Sequence, residues 1–80
     1  MRITLAAAFG KTVASRRRKI KFSQMKLAEA AGLHLNAIGL IERGQRLPSL
    51  YTIVALARAL EVPPQTLIAE TLELNPVWEK

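Results

Sequence analysis

Twelve lysines and arginines stand against six glutamates in this 80-residue chain, and the run RRRKIK at residues 16–21 holds five of the cations. The chemistry open to such residues is contact with a polyanion, because cationic side chains gain from phosphates and release their counterions. The charge is uneven. Residues 1–46 carry ten cations against two Glu, a net of +8, and residues 47–80 carry two against four, a net of −2. A nucleic acid suits the first half, and the leucine-rich second half suits a protein contact. For RRRKIK taken alone, the plain alternative is a solvated helix face. Catalysis has less to work with. A single His, His34, with no Asp and no Cys assembles neither a triad nor a metal cluster, and no glycine-rich phosphate loop is present. No enzyme activity, cofactor, metal or small-molecule ligand is expected.

These residues need a scaffold, and the composition says how it must be built. Half the residues are apolar, more than a disordered chain carries, and the length allows one domain with one small core. With four aromatics and no cysteine, packing must hold the fold, assisted by a second subunit if one is present. The opening MRITLAAAFGKTVAS has an early Arg and small residues, as a secretory leader does, but Lys11 interrupts its apolar run and RRRK follows. No stretch approaches the roughly 20 apolar residues of a membrane span. The expected setting is cytoplasmic, with no membrane partner.

Apolar spacing predicts helices throughout. Leu5 or Ala6, Phe9, Val13, Arg17 and Ile20 share one face of a helix over 3–20. Arg17 on that face demands an explanation, since a lone buried charge costs several kcal/mol while a paired, hydrogen-bonded one is tolerated. Ser23 caps a short second helix that Gly32 ends, although Lys26 stands where a capping-box Glu would help. A third helix runs over 35–43 and stops at Gly44. Ser49 caps a fourth, whose Leu50, Ile53, Val54, Leu56, Ala57 and Leu60 are too continuously apolar for a surface helix, so it is expected at the centre. Pro64 opens a fifth helix that reaches about Leu72, and ELNPVWEK reads as a tail. The organisation is one domain over 1–72, with 73–80 as a tail that contributes to a dimer contact.

Five short helices with Gly32 between the second and third have a helix-turn-helix layout. The segment 22–68 resembles the Cro/C1, XRE or phage-repressor type of helix-turn-helix protein. The resemblance rests on SQ opening helix two, LAEAAGL across the turn, IERG ending helix three, PSL opening helix four and LARALEV closing it. It implies an all-α, five-helix, lambda-repressor-like domain with the motif over about 23–43, similar in size to restriction–modification controller proteins. It also implies roles. Ser23 and Gln24 match residues that grip a DNA phosphate, where free backbone N–H groups already favour an anion. Arg43 and Arg46 match basic residues that reach the backbone or a minor groove. Glu42 and Arg17 match a structural ion pair, which answers the question that Arg17 raises.

Base reading, by the same resemblance, falls to His34, Leu35, Asn36, Gly39 and Leu40. Asn36 suits a bidentate contact to adenine. His34 suits a cap or a donor. Leu35 and Leu40 depart from the polar readers of relatives, so they meet thymine methyls or, on the competing reading, a protein. Gly39 in mid-helix would allow close approach to the sugar–phosphate wall. Relatives commonly have Gly where this chain has Lys21, which leaves the joint between helices one and two open. A single reading helix offers few contacts, and such proteins gain affinity as two-fold dimers on paired half-sites. Pro64, Ile68, Leu72 and Trp78 are the expected dimer contact. The function implied is a sequence-specific regulator of transcription on a double-stranded DNA operator, acting as a homodimeric repressor or controller. The alternative is a protein-interaction adaptor or antitoxin-type module on the same fold.

Overall fold

The computed structural model describes residues 2–78, so Met1 and the end of the expected tail, Glu79 and Lys80, lie outside the described residues. Five helices follow one another: α1 (Leu5–Lys19), α2 (Gln24–Ala31), α3 (Leu35–Glu42), α4 (Leu50–Ala59) and α5 (Pro64–Glu73). The fold is an all-α helix-turn-helix domain. Their starts are set by short-range chemistry. Thr4, Ser23 and Ser49 each accept, through the side-chain oxygen, the N–H three residues on, and His34 Nδ1 accepts that of Asn36 at 3.2 Å. Pro64 supplies the preset φ of a first helical position at the start of α5.

The helix ends share one device. A residue with positive φ follows the last turn each time: Lys21 (61°), Gly32 (69°), Gly44 (72°), Glu61 (62°) and Asn75 (51°). At the first four, the next N–H returns to a carbonyl five residues back, as Phe22 does to Arg17 at 3.1 Å and Gln45 to Leu40 at 2.9 Å. The joint at Lys21 is therefore shaped as a glycine would shape it.

The core draws on every helix. Val13, Leu27, Ile38, Ile41, Leu56 and Leu67 are fully buried, each contributing about 1.5–3 kcal/mol. Phe9, Ala28, Ala57 and Leu60 complete the cluster. Between α1 and α5, Thr71 Oγ1 donates to Leu67 O at 2.7 Å and lies 3.2 Å from Thr12 Oγ1, so these buried hydroxyls are satisfied. Where α1 crosses the end of α3 the backbones nearly touch. A Cβ on Gly10 would stand 2.3 Å from Ile41 O and 2.7 Å from Glu42 O.

Three sequence expectations need correction. α1 starts at Leu5 because Thr4 is extended and caps it, and Ile3 O accepts from Val77 N at 2.8 Å, which ties the segment after α5 to the start of the chain. Ile20 lies past the end of α1, at its C-cap, and is exposed. α4 is not buried all round. Neighbours α2 and α5 cover the side bearing Leu56, Ala57 and Leu60, while Leu50, Tyr51 and Val54 recur at helical spacing on the uncovered side.

Candidate nucleic-acid interface

The expected reading helix presents one outward strip. Leu35 and Asn36 are exposed, Leu40 is half-buried and Gly39 is buried, and all four line a shallow depression of about 370 Å³ together with Gln24 and Arg43. Apolar Ile38 and Ile41, on the other side of α3, are in the core. This alternation follows from the helical period: positions 35, 36, 39, 40 and 43 face out because 38 and 41 face in.

Behind α3, Arg17 Nε lies 2.7 Å from Glu42 Oε2 and Nη2 lies 3.0 Å from Oε1. The side chains are 11% and 6% exposed, so the pair is largely withdrawn from water. The hydrogen bond to Glu42 holds the Arg17 guanidinium above its ordinary value, so it stays charged. Two further bonds extend the pair. Arg17 Nη1 donates to Phe22 O at 2.8 Å, and Gln24 Nε2 donates to Glu42 Oε1 at 2.9 Å. One guanidinium thus joins α1, the joint before α2 and the end of α3.

Gln24 is accordingly shared. One amide N–H turns inward to Glu42, and the residue still borders the depression on α3. Ser23 Oγ accepts from Lys26 N at 3.0 Å, which leaves its own hydroxyl proton to be given outward. His34 caps α3 through Nδ1, so its remaining ring proton is carried by Nε2 at the edge of the strip. Arg46 is exposed in the loop after α3. Arg43 Nε donates to Gln45 Oε1 at 3.2 Å, a brace that nothing in the spacing of the sequence signals.

The RRRKIK run divides on folding. Arg16 bonds Glu70 of α5, with Nε 2.9 Å from Oε1, and Arg17 bonds Glu42, so Arg18, Lys19 and Lys21 are the members left in solvent. Exposed Lys26, whose ammonium stands 5.9 Å from the Phe22 ring centre, Arg43 and Arg46 add to the positive surface. The residues expected at a dimer contact fall in two places. Ile68, Leu72 and Trp78 line an apolar groove of about 240 Å³ with Leu47 and Pro48, and Pro64 lies apart from it at the start of α5. No helix among the described residues is long and apolar enough to cross a membrane.

A short helix with a polar-and-apolar outward strip, braced from behind and flanked by capped helix starts, is the layout of a helix-turn-helix domain. The sequence model of a helix-turn-helix family matches residues 13–67, and the chain belongs to that family, of the Cro/C1 (XRE) type. It is a DNA-binding transcriptional regulator. Among solved structures, the restriction–modification controller protein C.AhdI from Aeromonas hydrophila is 39% identical, with a TM-score of 0.76 over 78% of this chain and 94% of that one. The clp gene regulator ClgR from Corynebacterium glutamicum shares the fold at 22% identity and a TM-score of 0.86, covering 92% of this chain and 79% of that one. The wild-type restriction–modification controller protein C.Esp1396I shares it at 20% identity and 0.79, covering 86% and 91%. A search among curated proteins gave no match.

Proposed function

We propose that the protein is a cytoplasmic homodimeric controller or repressor of transcription that inserts α3 into the major groove of an operator. The observation that carries this reading is the strip Leu35, Asn36, Gly39, Leu40 and Arg43, gathered in one depression beside Gln24 while Arg17 and Glu42 fix α3 from within. Asn36 reads adenine, and Leu35 and Leu40 meet thymine methyl groups. Ser23, Gln24 and Arg46 hold phosphates on either side and set the register, with the His34 Nε2 proton available to a phosphate or base edge. The first residues of α2 offer backbone N–H groups for the same purpose.

A second copy completes the operator-binding unit. The exposed apolar groove at Ile68, Leu72 and Trp78 supports a two-fold contact, to which Pro64, apart from the groove at the start of α5, adds a second point, and such dimers span half-sites about one duplex turn apart. The 39% identity with a protein described as a restriction–modification controller favours that role over an antitoxin.

Selection of bound duplexes from a random pool tests the reading. Enrichment of a two-fold symmetric motif, bound by a species that sediments as a dimer at micromolar concentration, is the expected result. Weak, uniform binding with no enriched motif would overturn sequence-specific control, and a strict monomer that binds single half-sites would overturn the dimer.

A further inference from the structure

Gly39 is the residue of α3 whose missing side chain is filled by something else. A Cβ built there would lie 2.9 Å from Arg43 Nη1 and 3.6 Å from both Cζ and Nη2. The Arg43 guanidinium is therefore folded back one helical turn, onto the outward strip, and does not extend beyond the end of the helix. Gln45 Oε1 holds it there through Nε, and among the described residues no acceptor meets Nη1 or Nη2. Arg43 and Gly39 line one depression whose other walls are Leu35, Asn36, Leu40 and Gln24.

From this arrangement we infer that Arg43 is a base-reading residue, specific for guanine, and that Gly39 is kept without a side chain to seat it. The inference rests on the proposal that α3 enters the major groove. Two parallel guanidinium N–H donors match the O6 and N7 acceptors that guanine alone presents together on that edge, whereas a phosphate contact needs no such seat. A planar fork held flat by Gln45 loses less freedom on binding than an unbraced one. Leu35 and Leu40 beside it exclude water from the contact, and both can touch the methyl of a neighbouring thymine.

The test uses the full chain and the duplex enriched by selection, with each guanine replaced in turn by 7-deazaguanine, which keeps Watson–Crick pairing and lacks N7. For the unmodified protein, one such replacement per half-site should weaken binding about tenfold in an anisotropy titration. Arg43→Ala should bind the natural duplex more weakly and be indifferent to that replacement. Gly39→Ala should show the same indifference while melting at no lower temperature, because Ala is the better helix former. The inference is overturned if no guanine is sensitive, or if Arg43→Ala loses affinity on every sequence alike and keeps the sensitivity. Specific binding without an Arg43-dependent guanine removes this inference alone, whereas failure to select any motif removes the operator reading along with it.

Discussion

Arg17 and Glu42 face each other through two hydrogen bonds of 2.7 and 3.0 Å, so α1 fixes the end of α3 and with it the direction of that helix's outward strip. Removing one partner leaves a buried charge without compensation. Arg17→Ala or Glu42→Ala should each destabilise the fold by about 3–5 kcal/mol, a large share of the stability of a small domain. An apolar pair of similar volume, Arg17→Met with Glu42→Leu, should recover most of that loss. Urea unfolding followed by circular dichroism measures both, and single variants as stable as wild type would show that the pair does not hold α3.

Gly10 is held by backbone on the other side of the crossing. Gly10→Ala places a methyl within 2.7 Å of two carbonyl oxygens of α3, neither of which can swing aside as a side chain would. The expected cost is about 1–3 kcal/mol or more, with α1 pushed away from α3. A shift in the urea midpoint reads it out.

Lys21 and Glu61 occupy left-handed backbone that favours glycine, with φ of 61° and 62°. Lys21→Gly should stabilise the protein by about 1 kcal/mol, and Glu61→Gly by a similar amount. Lys21→Ala, which keeps the same strain, serves as the control and should leave the melting temperature nearly unchanged.

Glu70 makes stability fall in acid. Its carboxyl is held below the ordinary value of 4.5, chiefly by the hydrogen bond from Arg16, with partial burial opposing and the charges of Arg16 and Lys19 reinforcing. The unfolded chain takes up this proton more readily, so the stabilisation is complete above 4.5 and is lost as pH falls through the lower folded value. Thermal melts of wild type and Glu70→Gln should differ at neutral pH and converge as the pH is lowered through the depressed folded value. The difference should be small and shrink with salt, because the pair sits at the surface.

Phosphate and base contacts separate by salt. Arg46→Ala should lower the slope of log affinity against log salt by about one while leaving the preferred sequence alone. Asn36→Ala should leave the slope alone and cost about 1–3 kcal/mol of discrimination at one position. Titrations at several salt concentrations on matched and altered duplexes distinguish the two.

The helix starts at Ser23 and Ser49, the stops at Gly32 and Gly44 and the core positions Phe9, Val13, Leu56, Ala57 and Leu60 were legible because caps, glycines and the 3.6-residue period act over a few residues. So was the need of Arg17 for a partner. The uncovered side of α4 was not legible, since a run of apolar residues does not say how many neighbours a helix will have. The bond from Ile3 to Val77 spans nearly the whole chain and leaves no local trace. Within the interface, the outward residues Leu35, Asn36, Gly39 and Leu40 were implied by the family resemblance, but the seat of Arg43 on Gly39 depends on a rotamer that Gln45 selects, and spacing carries no information about rotamers.

Arg16 and Arg17 are neighbours in sequence, and successive residues of a helix point about 100° apart. One is fastened to α5 and the other to α3. The first helix is thereby pinned in two directions, like a shaft with two keys, and cannot spin without loosening one of them. A turn of α1 about its own axis therefore disturbs the contact with α5 and the contact with α3 at neighbouring residues.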